Sequence, residues 1–123
     1  MVKLFYILLL ISVNSFSADL LENCRFTSDQ MNKLLPRQID NITILNKTYC
    51  VKNKGKIYFQ FDHTILNPNK LPGNIKKIAK SAAKLKFCSG EYRDALDYLS
   101  YDFYYLDGNV RPLFSFTIQK DDC

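Results

Sequence analysis

The chain has 123 residues, a formal net charge of +5, four cysteines, one histidine and no tryptophan. That length fits one ordinary domain with a modest core. No cysteine pair has C-x-x-C spacing, which excludes the usual zinc and dithiol redox sites, and no phosphate-binding loop or other cofactor motif occurs.

Met1-Val2-Lys3 is a short basic start, followed by the apolar run Leu4 to Ile11 and then by small and polar residues from Ser12 to Ala18. This is the layout of a secretory signal peptide, with cleavage expected after Ser17 because Ser15 and Ser17 suit the peptidase pockets. The apolar run is far shorter than the roughly 20 residues a membrane-spanning helix needs. The expected organisation is therefore a signal peptide over 1–17 and one α+β domain over 18–123. Leu21-Glu22-Asn23 before Cys24 is too polar for a lipoprotein signal. The expected location is periplasmic or secreted, and in an oxidising compartment an even cysteine count reads as two bridges.

Thr27 or Ser28 is expected to cap a first helix carrying Met31, Leu34 and Leu35, ended by Pro36. Residues 41–66 read as a long hairpin, with Ile42 and Ile44 on one face of its first strand and a turn around Gly55. Its second strand carries Ile57, Phe59 and Phe61 on one face. Pro68, Pro72 and Gly73 mark a loop. Then comes an amphipathic helix whose expected buried stripe is Ile75, Ile78, Ala82 and Leu85, widened by Ala79. A shorter helix, capped by Ser89, runs from Glu91 to Leu99. Tyr101 to Leu106 is a strand, Asp107-Gly108-Asn109 a turn, and Val110 to Lys120 the returning strand. These elements predict a roughly four-stranded antiparallel sheet with helices packed on one face. Four cysteines allow three pairings. The positions of the elements favour Cys24–Cys50 and Cys88–Cys123.

Catalysis has little support. His63 stands without a recognisable nucleophile, and Glu91, Asp94 and Asp97 read as a solvated acidic face. Two features could make a binding surface. One is the lysine series Lys76, Lys77, Lys80 and Lys84, which could meet lipid headgroups or an acidic protein as a peripheral contact. The other is the tyrosine group Tyr101, Tyr104 and Tyr105, with Tyr98 nearby. Export and the scarcity of arginine argue against nucleic acid.

Leu34-Leu35-Pro36, Ile39-Asp40, the Ile42/Ile44 strand, the Tyr- and Phe-containing strand after it, a helix ending in Cys88, a short helix through Arg93 to Leu99, a tyrosine-rich strand and a terminal Cys123 follow one another in order. This layout resembles the α/β pilotins of type II secretion and related small periplasmic proteins. The resemblance implies binding of a secretin's C-terminal segment and its guidance to the outer membrane. The chain departs from these lipoproteins in lacking a lipidation motif. The sequence thus points to an exported, non-enzymatic binding protein without a cofactor, a pilotin-like accessory or chaperone factor for an envelope complex, with another envelope protein as partner. The alternative is an inhibitor or immunity-type protein against a periplasmic toxin or hydrolase.

Overall fold

The computed structural model describes residues 20–123, so the expected signal peptide over 1–17 lies outside the described residues. Helix α1 (Leu20–Asn32) leads into a two-residue strand β1 (Arg37–Gln38) and the long hairpin β2 (Thr43–Asn53) and β3 (Lys56–Ile65). Helices α2 (Ile75–Phe87) and α3 (Gly90–Ala95) then cross over to β4 (Ser100–Leu106) and β5 (Pro112–Ile118). Lys54 and Gly55 both take positive φ, 52° and 79°, the two-residue turn that matches strand twist.

The sheet has five strands in sequential order, β1 to β5. All neighbours are antiparallel except β3 and β4, which run parallel. This corrects the expected four-stranded antiparallel sheet. A chain that leaves β3 and returns beside it in the same direction needs a long crossover, and residues 66–99 provide one with two helices. The α+β class and the packing of helices on one face hold.

Three lateral rows of side chains floor the covered face. Phe59, Tyr101 and Ile118 form the first, Phe61, Phe103 and Phe116 the second, and His63, Tyr105 and Phe114 the third. The first two rows are buried. Phe87 closes them from above, its ring 4.6 Å from Tyr101, 5.3 Å from Phe103 and 5.9 Å from Phe61. Ala95, Leu96 and Leu99, from α3 and the turn after it, complete this end of the core.

Both favoured cysteine pairs are bonded, Cys24–Cys50 between α1 and β2 and Cys88–Cys123 between the end of α2 and the chain end beyond β5. For loops of 26 and 35 residues each bridge is worth about 3–4 kcal/mol in the chain-entropy account.

Three expectations about faces change. Helix α1 starts earlier than expected, so Thr27 and Ser28 sit inside it and are buried rather than capping it. Thr27 Oγ1 donates to the Asn23 carbonyl at 2.9 Å, and the Ser28 and Thr48 hydroxyls lie 2.8 Å apart. Asn32 binds both backbone groups of Thr48, at 2.8 and 2.9 Å, and so satisfies them from the helix side. On β2, Thr43 and Leu45 rather than Ile42 and Ile44 face the core, and a register shift between Leu45 and Lys47 then brings Thr48 inward. On α2 the side facing the sheet carries Ala79, Ala83 and Phe87, while Ile78 and Leu85 are exposed.

Candidate functional site

The third row of the sheet is not sealed. Along its inner side α2 presents Ala79 and Ala83 over this end and Phe87 over the other. Methyl groups cannot reach the sheet where a phenyl ring can, so a groove of about 360 Å³ opens beneath the helix from Ile75 onward, and Phe87 borders its closed end. Its floor is His63, Tyr105, Phe114 and Phe103, its far wall Ile39, Ile42 and Thr43, and its near wall Ile75, Ala82 and Lys86. This volume falls at the small end of ligand-sized pockets, about 300–1,000 Å³, and the lining is largely apolar. A hollow of similar size at the opposite end of the sheet, about 350 Å³, has a mixed lining, with Asp97, Ser100, Gln119 and Lys120 beside Leu20, Ile57, Leu96 and Leu99.

His63 is part of the floor and not a surface residue. It is 3% exposed. Its ring stacks on Tyr105 at 4.4 Å with the planes 8° apart, and its Nδ1 donates to the Tyr104 carbonyl at 3.1 Å. Burial lowers its pKa to about 4, against smaller opposing effects of that hydrogen bond and the charge of Asp40. The neutral ring thus behaves as one more aromatic plate in the series running through Phe103, Tyr105 and Phe114. Asp40 lines the same groove, but its Oδ1 accepts from the Ile42 backbone N–H at 2.9 Å and no hydrogen bond joins it to His63. No hydroxyl or thiol among the described residues contacts the imidazole in a nucleophile–base arrangement. Among the described residues no group of three or more His, Cys, Asp or Glu side chains is placed to hold a metal ion.

No protein-family model matches the sequence, and no curated protein matches it. Solved structures do match. The type 2 secretion pilotin EpsS of Vibrio vulnificus aligns with a TM-score of 0.60 at 13% identity, over 81% of this chain and 87% of that one. The type II secretion pilotin AspS of Vibrio cholerae aligns with a TM-score of 0.58 at 14% identity, over 81% and 88%. A Pseudomonas aeruginosa protein thought to be secreted aligns with a TM-score of 0.67 at 14% identity, over 100% and 97%. The chain shares its fold with pilotins. At these identities the likeness is one of fold.

Within this pilotin-like fold the residues singled out from sequence are dispersed. Tyr101 is fully buried in the first row, its hydroxyl donating to the Tyr92 carbonyl at 3.2 Å, and burial holds its phenol far above the ordinary range. It is therefore removed from the expected binding surface, because its position in β4 points it under Phe87. Tyr105 is half-buried in the groove floor, and burial, then the charge of Asp40, raises its pKa. Tyr104 points to the uncovered face of the sheet. There it is 38% exposed, and partial burial followed by the charges of Asp102 and Asp62 raises its pKa. Lys76, Lys77, Lys80 and Lys84 all lie on α2, with Lys80 Nζ 3.7 Å from an Asp122 oxygen. Glu91, Asp94 and Asp97 are exposed, and Asp97 accepts from Lys120 Nζ at 2.7 Å.

The groove residues Ile39, Ile42 and Phe114 carry no chemical signature in sequence. Two signals could have found them: the alanines at 79 and 83 opposite a tyrosine-rich strand, and an isoleucine at 42 out of phase with the buried Thr43 and Leu45.

Proposed function

We propose that this chain is an exported, non-enzymatic accessory protein of an envelope secretion complex, acting in the periplasm or outside the cell after cleavage behind Ser17. In this reading it works by holding an apolar segment of a partner envelope protein in the groove beneath α2. The observation that carries the reading is the groove itself, an aromatic floor open beside a lysine-rich helix in a fold shared with pilotins. The groove has room for a few apolar side chains, not for a folded domain. Helix α2 contains lysines and no acidic residue. The fitting occupant is therefore an amphipathic segment with apolar side chains on one side and carboxylates on the other. A secretin's C-terminal segment is the occupant that the pilotin likeness suggests.

The test is a titration with a synthetic peptide covering the C-terminal segment of the secretin of the same organism. Saturable binding is expected, weakened at least about tenfold, or about 1.4 kcal/mol, by Ile42→Asp at the groove wall. Val51→Asp is the control, because Val51 is as exposed as Ile42, 39% each, but lies outside the groove. Binding no tighter than that of a scrambled peptide, equal loss in both variants, or an organism without a secretin gene sinks the proposal.

A further inference from the structure

We infer that the outer face of α2 is a contact for membrane surfaces rich in anionic lipid, separate from the groove on its inner side. The helix has two apolar stripes. Ala79, Ala83 and Phe87 meet the core. Ile78 and Leu85, seven residues apart, turn away from it, with Ile78 47% and Leu85 82% exposed. Single exposed aliphatic residues are ordinary. A leucine and an isoleucine two turns apart on one stripe are harder to ascribe to chance, because the core already has its own stripe on this helix.

The charges on the helix select the partner. Helix α2 carries Lys76, Lys77, Lys80, Lys84 and Lys86 and no Asp or Glu. At 3.6 residues per turn, Lys77 and Lys84 fall along one flank of the outer stripe. Lys76 stands exposed at the first turn, and Lys70, also exposed, precedes the helix. An apolar strip bordered by lysines is the pattern of a helix lying in a bilayer interface, where aliphatic side chains enter the acyl boundary and ammonium groups reach the headgroups. A stable protein interface needs about 800 Å² on each partner, which two large side chains do not supply. A charged lipid surface needs much less apolar area, because each lysine near it adds attraction of its own. An anionic bilayer is therefore the better fit than a second protein.

The absence of tryptophan offers a direct readout. In protein purified after expression of the full chain, Leu85→Trp places a single tryptophan, excited selectively over the eight tyrosines, on the outer stripe, and Val51→Trp places one on the uncovered face of the sheet. On adding phosphatidylcholine vesicles containing phosphatidylglycerol, the Leu85→Trp emission should shift to the blue and lose access to a soluble quencher. Pure phosphatidylcholine vesicles should cause neither change. High salt should reverse the effect, and Lys77→Glu with Lys84→Glu should abolish it. Val51→Trp should not respond.

An equal response to both vesicle types, persistence after charge reversal, or no response overturns the inference. A response to soluble polyglutamate but not to vesicles also overturns it, in favour of an acidic protein. Ile42→Asp, which damages the groove reading, should leave the vesicle response of Leu85→Trp intact, so the two readings fail independently.

Discussion

At one end of the covered sheet face, Phe59, Tyr101 and Ile118 lie under Phe87 with almost no exposed surface. At the other end His63, Tyr105 and Phe114 belong to the same three strands, stack just as closely, and face an open groove. The strands carry large side chains at both ends, two rings and an isoleucine at the closed end and three rings at the open one, so the sheet does not make the difference. The helix does, through a change from alanine to phenylalanine along one side. The Cys88–Cys123 bridge directly follows Phe87 and ties this end of the helix to the chain beyond β5, holding the closed end closed. One helix thus supplies a core plug and a cavity roof, with Phe87 closing the core on one side and bordering the groove on the other.

The largest test of this division removes the plug. Phe87→Ala should cost about 3–5 kcal/mol in a denaturant titration, because four aromatic rings lose their shared contact and the cavity cannot collapse against a disulfide-fixed helix end. Phe114→Ala should cost less, about 1–2 kcal/mol, since its ring is only partly buried beside open space. Equal costs would mean that the two ends are not distinct.

A second test uses acid. His63 in the folded protein titrates at about 4 instead of 6.5 because burial disfavours its charged form. Between these values the unfolded chain binds a proton that the folded chain does not, so stability must fall as pH drops from about 6.5 to 4 and is fully present above that window. The loss attributable to this group is about 3 kcal/mol. His63→Phe keeps an aromatic plate in the floor and should flatten the pH profile of unfolding in that window. A profile as steep as that of the parent chain would show that the imidazole is not held neutral.

These two tests rest on unequal knowledge from sequence. The hairpin turn at Gly55, the strand faces carrying Phe59 and Phe61, the alternation of β4 and the cysteine pairing were all legible, because each depends on local geometry or on which elements end near one another. The parallel pairing of β3 with β4 was not. Periodicity describes each strand alone, and only the helical crossover between them fixes their mutual direction. Strand β1 has two residues and exists only through pairing with Leu45 and Ile44. The inward face of β2 was missed because Thr43, a hydroxyl residue, points inward with Leu45 in place of the aliphatic pair Ile42 and Ile44, and an extra residue between Leu45 and Lys47 then reverses the alternation. The roof of the groove was missed for a different reason. Helix α2 has apolar residues on two sides, and the bulkier set, Ile78 and Leu85, draws the eye to the solvent side. The buried side consists of small residues whose one large member, Phe87, comes at the last position of the helix.

That reversal leads to the finest test, in which the roof is lowered without touching the plug. Ala83→Leu replaces a methyl by an isobutyl group on the inner side of α2 where the groove already provides space. Leucine is nearly as good a helix former as alanine, and a side chain that enters open volume meets no packed neighbours to displace. The melting curve should therefore move little, by less than about 1 kcal/mol in either direction, while affinity for the partner peptide falls at least about tenfold because its apolar side chains find the space taken. A loss of about 3 kcal/mol would mean that the alanine already touches a filled core and that the groove is not open. Unchanged stability with unchanged affinity would mean that the groove is real but that the partner binds elsewhere, leaving the outer face of the same helix as the surface to pursue.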